Sequence, residues 1–174
     1  MEQAVIDEYQ ASVDETLKEF IQQYISSSRS YFKRKNLTRV SDRQAADAAR
    51  LLGGDYSGYQ NAINTNCVRH IIKEHGSDGT VDHSMSDIND LSRLSFVLSS
   101  YDSVERAVYA SGEPKTSKEF RNADDSPAPM LLYKKKVNGT YYIVEAVPDS
   151  KYKKFWVVSA YMDKSEGGTQ APDG

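Results

Sequence analysis

Met130-Leu-Leu-Tyr-Lys-Lys-Lys-Val-Asn-Gly-Thr-Tyr-Tyr-Ile-Val-Glu-Ala-Val147 decides the fold. Two runs rich in aromatic and β-branched residues flank Asn138-Gly139, the dipeptide preferred in the type I′ turn of a tight hairpin. The reading is therefore two antiparallel strands, 128–137 and 140–147. Pro148-Asp-Ser150 turns the chain again into a third strand, 152–162. A further strand near Val108 would extend this meander to four. Alternation along the third strand places Trp156, Val158, Ala160 and Met162 on one apolar face, toward the helices. Phe155, Val157, Ser159 and Tyr161 then share the other. On the middle strand Tyr141, Ile143, Glu145 and Val147 share a face. A carboxylate among such residues is costly unless it is exposed, paired or functional.

Upstream of this sheet the periodicity is helical. Ala4, Val5, Tyr9, Val13, Leu17, Phe20, Ile21, Tyr24 and Ile25 recur near helical spacing over 2–26. A serine-rich break and a basic connector, 31–39, follow. Ser41-Asp-Arg-Gln44 suits a capping box opening a helix over 42–52, stopped by Gly53-Gly54. Residues 59–74 read as helix, ending in Cys67-Val-Arg-His-Ile-Ile-Lys-Glu-His-Gly76, where Gly76 offers the left-handed conformation of a helix stop. Ser86 caps a helix over 87–99 that buries Ile88, Leu91, Leu94 and Leu98. Residues 112–127 form a polar loop. Helices first and strands second is the α+β pattern: N-terminal helices packed on a C-terminal antiparallel sheet of three to four strands. The domain division is a helical extension or linker over 1–37, a main domain over 38–164 and a disordered tail over 165–174.

The 174 residues suffice for one core, and a net charge of only −3 does not by itself announce a nucleic-acid binder. Charge distribution says more: residues 1–20 carry six acids and one lysine, whereas 21–44 carry six Lys/Arg and one acid. Basic clusters return at Lys134–Lys136 and Lys151–Lys154, and clusters of this kind can follow a phosphate backbone. One cysteine, Cys67, excludes an intrachain disulfide. Cys67 and His70 make a C-x-x-H pair, but zinc needs four ligands in paired spacings and no second pair is present. No apolar run reaches the roughly 20 residues of a membrane span. The acidic, amphipathic N-terminus is unlike a secretory signal, so export would depend on other machinery or on a larger polypeptide.

Two of the three histidines, His70 and His75, fall near the end of one helix. His75 lies in its last turn, where the negative end of the helix dipole favours the imidazolium. A histidine so placed can hold or pass a proton near neutral pH, although it equally fits a helix C-cap.

The order of the motifs resembles a known family. Val40-Ser-Asp, Gly54-Asp-Tyr-Ser-Gly-Tyr59, Val68-Arg-His70 with His75-Gly76, Leu132-Tyr-Lys-Lys, Asn138-Gly-Thr-Tyr-Tyr142, Val144-Glu145 and Ser159-Ala-Tyr161 are similar to the phage members of the barnase–EndoU–colicin E5/D–RelE-like (BECR) nuclease superfamily. Such domains stand at the C-termini of MuF-type phage head-morphogenesis proteins and polymorphic toxins. The resemblance covers about Thr38 to Lys164. In that pattern threonine often holds the place of Ser159, which keeps the hydroxyl.

The resemblance implies an α+β fold that cleaves RNA, tRNA or mRNA, on the open face of its sheet. It implies a toxin with a cognate immunity or antitoxin protein as partner. The domain would act in the cytoplasm of the producing or target bacterial cell, delivered by a phage particle or secretion system, with no membrane partner. Metal-free RNA cleavage needs a base for the 2′-hydroxyl, an acid for the leaving oxygen and donors for the phosphorane charge. No cofactor and no metal enter. His75 is the expected proton carrier, with His70 or Glu145 as its partner. Ser159 and Tyr161 are expected to bind phosphate or stack a base. Arg69, Lys134, Lys136 and Lys154 are expected to hold phosphate charge. The competing readings are a catalytically silent phage structural or interaction module and, last, a zinc-dependent or ADP-ribosyl-transferring toxin.

Overall fold

The computed structural model describes residues 12–27, 31–136 and 139–164. In chain order the elements are α1 (Glu15–Ile25), β1 (Arg34–Arg39), α2 (Asp42–Leu52), β2 (Gln60–Asn64), α3 (Thr65–His75), α4 (Ile88–Leu91), α5 (Leu94–Ser100), β3 (Ser103–Arg106), β4 (Thr116–Arg121), β5 (Pro127–Lys136), β6 (Thr140–Ala146) and β7 (Lys154–Asp163). The fold is α+β, but the sheet has seven strands rather than three or four. Their order is β1-β2-β7-β6-β5-β3, with β4 paired to β5 beside this path. Every pairing is antiparallel except β2 with β7, which is parallel.

The meander β5–β6–β7 forms as the alternation predicts, with Lys136 opposite Thr140 across the hairpin. Asn138 of the expected turn lies outside the described residues, as do the expected tail and the first half of the expected N-terminal helix. Three strands were not expected. β1 replaces the basic connector; it is an edge strand, where Arg34, Lys35 and Arg39 discourage further pairing. β2 replaces the first turns of an expected helix: Gln60-Asn-Ala-Ile-Asn64 has little strand propensity and is held by tertiary partners instead. β4 lies inside the expected polar loop. The expected helix over 87–99 is broken into α4 and α5, yet Leu91, Leu94 and Leu98 are buried as its pattern requires. The extension is not separate either. Leu17 and Ile21 of α1 are fully buried in the main core, and residues 34–37 belong to the sheet.

β7 departs from its expected alternation. Val144 pairs with Ser159 and Glu145 with Val157, so Val158 is an extra, bulged residue. Phe155 and Val157 face the helices, and beyond the bulge so do Ala160 and Met162. Trp156, Val158, Ser159 and Tyr161 are left on the open face. There a smaller apolar cluster forms from Ala62, Ala107, Met130, Val144, Ala146 and Trp156. Phe120 of β4 stacks on Trp156, with ring centroids 5.0 Å apart.

The helix-facing side of the sheet holds a buried polar group around Gln44 and Glu145. Ser41 caps α2 by accepting from the Gln44 N–H (3.0 Å), but the Gln44 side chain does not return to the cap. Its Nε2 instead shares its two hydrogens among three acceptors, Asn61 Oδ1 (2.7 Å), the Tyr133 hydroxyl oxygen (3.0 Å) and Glu145 Oε1 (3.2 Å). The Tyr133 hydroxyl also donates to Glu145 Oε1 (2.7 Å). Glu145 is fully buried and its Oε2 has no partner among the described residues. Burial, opposed by the hydrogen bonds from Tyr133 and Gln44, pushes its carboxyl up to about 8.

At neutral pH Glu145 is therefore largely a neutral acid in the folded chain and ionised in the unfolded one. Its contribution to stability is complete below the ordinary glutamate range and is lost as pH rises toward about 8. Urea unfolding across that window should show stability falling by on the order of 5 kcal/mol from this group, and Glu145→Gln should remove that part of the slope. An unchanged slope in the variant would contradict the buried, protonated assignment.

Candidate functional site

The site grows out of the short β2–β7 pairing. Only Gln60–Ala62 and Lys154–Trp156 pair. Beyond Trp156, α3 takes the place of a neighbouring strand. Asn64 ends β2 and caps α3 by accepting from the Cys67 N–H (2.9 Å). The helix then buries Cys67, Val68, Ile71 and His75. On the same edge the Met162 N–H donates to Ser84 Oγ (3.0 Å), so the loop after α3 covers what would be an exposed strand edge.

Gly76 ends α3, but not in the left-handed conformation expected of it: its φ is −81°. The need for glycine is steric. A Cβ there would lie 2.6 Å from the Ile72 carbonyl oxygen. The close approach lets the chain leave the helix sharply and return past His75, whose carbonyl accepts from the Met85 N–H (2.8 Å).

His75 is 5% exposed. Its Nδ1 is 2.9 Å from Asp82 Oδ1. Burial alone would raise the Asp82 carboxyl, but hydrogen bonds from Ser84 and His75 outweigh it and hold it below its ordinary value. An ionised Asp82 only accepts, so the proton of a neutral His75 sits on Nδ1 and Nε2 carries the lone pair. Nε2 is 3.9 Å from Glu74 Oε1, and the same oxygen is 3.5 Å from His70 Nε2. Glu74 thus stands between the two histidines, which do not themselves converge.

The imidazole stacks on Tyr161, with centroids 5.1 Å apart and planes 22° apart. Tyr161 stacks in turn on its cross-strand partner Tyr142 at 4.9 Å. Lys134, paired with Tyr142 in the next strand, holds its Nζ 6.0 Å from that ring. His75, Tyr161, Tyr142 and Lys134 therefore form a row across the open face. Burial, then the charge of Asp82, push the Tyr161 phenol up, so it stays a neutral donor. An open cleft of about 420 Å³ adjoins the row, lined by Asp82, Ser84, Tyr142, Tyr161 and Lys164 among others.

Of the residues expected at the site, the structure brings together His75, Tyr161 and Lys134. Ser159 lies on the same face, two residues before Tyr161. His70 is beside them but half exposed, tied to Glu74. Glu145 is apart, on the helix-facing side of the sheet. Arg69 is exposed on α3, Lys136 is exposed past the end of the row, and Lys154 lines a second cleft near the start of β7. Asp82, Glu74 and Tyr142 were not foreseen. Tyr142 alternates with Tyr141 and so had to face away from Glu145, which is the one signal the sequence offered. Asp82 reaches His75 only through the loop closed by Gly76.

A family model described as phage-Barnase-EndoU-ColicinE5/D-RelE like nuclease 3 matches residues 38–167. No curated protein and no solved structure matches the chain.

The steric need at Gly76 has a measurable consequence. Gly76→Ala should destabilise the protein by about 1–3 kcal/mol in urea unfolding, because the obstructing atom is backbone and cannot rotate away. A change below about 0.5 kcal/mol would show that the helix end is free to relax.

Proposed function

The chain belongs to this nuclease family, and from that premise we propose that it is a metal-independent endoribonuclease whose proton carrier is His75. The observation that carries the reading is the Asp82–His75–Tyr161–Tyr142 row on the open face of the sheet. A carboxylate on Nδ1 orients an imidazole and leaves Nε2 for proton transfer. Attack of the 2′-hydroxyl on the adjacent phosphate forms the new P–O bond, and the bond to the 5′-oxygen breaks. One group takes the 2′ proton and another gives one to the leaving oxygen. His75 serves one transfer. Glu74, whose carboxylate lies between His70 and His75, is in reach for the other, with His70 its neighbour. Glu145 is buried on the other side and takes no part in this reading.

The remaining groups serve the phosphorane. The Tyr161 hydroxyl donates to a non-bridging oxygen, Lys134 adds positive charge, and the Ser159 hydroxyl is a further donor. The products carry 2′,3′-cyclic phosphate and 5′-hydroxyl ends. The same reading makes the chain a toxin-type domain, with RNA as substrate and an immunity protein as partner.

His75→Ala should lower cleavage of an unstructured RNA by on the order of 100-fold or more with the fold intact by circular dichroism. EDTA should leave the wild-type rate unchanged, and mass spectrometry should find cyclic phosphate ends. A His75→Ala protein as fast as the parent, or activity abolished by chelation, would overturn the mechanism.

A further inference from the structure

A second cleft among the described residues lies away from His75. It lies on the same open face at the other end of β7, between β4 and the strands β1, β2 and β7, with a volume of about 640 Å³. Its floor is the stacked pair Phe120–Trp156, whose planes are only 9° apart. Two further rings at its margin are unusually exposed: Phe32 is 42% and Tyr152 71% accessible. Large apolar rings in a concave, solvent-filled site are more informative than the same rings scattered on a convex surface.

Cations accompany the rings. Arg34 lies over Phe32, its guanidinium carbon 5.1 Å from the ring centroid. Lys154 Nζ donates to Asn36 Oδ1, a neutral acceptor, and makes no ion pair among the described residues. The Arg121 guanidinium pairs with Asp125, at 3.4 Å, and Asp125 is itself 88% exposed in side chain. The one carboxylate on the lining, Glu119, accepts from Asn64 Nδ2 (3.0 Å). Three cations against one engaged carboxylate, interleaved with flat apolar rings, match a chain of phosphates carrying flat bases. A protein partner would be expected to meet fewer cations and a flatter surface.

We propose that this cleft is a subsite for single-stranded nucleic acid, in which bases stack on Tyr152 and Phe32 while Arg34, Arg121 and Lys154 hold the flanking phosphates. The inference rests on the RNA-cleaving reading above, and it extends the substrate path along β7. Trp156 and Tyr161 are five residues apart on one strand, roughly 16 Å, so a strand seated in the cleft continues toward His75 on the same face. Stacking has no need of a particular base, and the subsite is accordingly tolerant of sequence.

The test uses the intact chain and a probe that it has no means of cleaving. Trp156 is the sole tryptophan of the sequence and forms the floor of the cleft. Its fluorescence is titrated with a single-stranded oligodeoxyuridine, which lacks the 2′-hydroxyl. The expected result is a saturable change in emission whose Kd rises steeply with salt. Arg34→Glu and Tyr152→Ala, two exposed and independent substitutions, should each weaken binding about tenfold or more. Silent Trp156 emission while fluorescence anisotropy reports binding would overturn the proposal. So would unchanged affinity in both variants, or equal affinity for duplex DNA. A protein that cleaves no RNA yet shows the Trp156 response would sink the catalytic reading and leave the subsite standing.

Discussion

One extra residue in β7, Val158, sets which side chains share the open face. Strict alternation would put Trp156 and Tyr161 on opposite sides of the sheet, because they are an odd number of residues apart. The bulge restores them to one side. It leaves Phe155 and Val157, then Ala160 and Met162, in the helix-facing core. Trp156 and Tyr161 are consequently available together: the first floors the larger cleft, the second stacks on His75. Bulges are common where a strand must re-aim a side chain, and this one does so without breaking the pairing to β6.

A second constraint ties the N-terminal half of the chain to that strand. β2 pairs with β7 over three residues only, then gives way to α3. A longer pairing would carry β2 alongside Tyr161 and leave no room for His75. The buried group Gln44, Asn61, Tyr133 and Glu145 holds α2, β2, β5 and β6 in one arrangement on the other side. Its orphaned Glu145 oxygen is a cost that a purely apolar core would not bear. Glu145 is thus read as a structural acid beneath the site, although its place in an apolar strand first suggested chemistry.

The parts of the fold legible in the sequence were those written locally. The β5–β6–β7 meander follows from alternation, α2 from Ser41 and its helical period, and the core leucines of α4 and α5 from their spacing. β1, β2 and β4 were not legible, because Arg34–Arg39, Gln60–Asn64 and Thr116–Arg121 have weak local preference and take strand form from their neighbours. The candidate site was legible in proportion. His75 could be named from a helix end, and Tyr161, Ser159 and Lys134 from the family resemblance. Asp82 could not, since its approach to His75 depends on a turn forced by Gly76. Nor could the aromatic cleft, which is assembled from β1, β4 and β7 across more than 120 residues, from Phe32 to Trp156.

The central claim is that substrate runs along the open face of the sheet, toward the His75–Tyr161 row. The most direct measurement is a crystal structure of the wild-type protein with a short RNA methylated at its 2′-oxygens, which blocks attack without altering the protein. One phosphate is expected within hydrogen-bond reach of His75 and Tyr161, with the neighbouring bases directed toward Trp156. RNA bound on the helix-covered side of the sheet, or on the open face with no phosphate near His75, would contradict it.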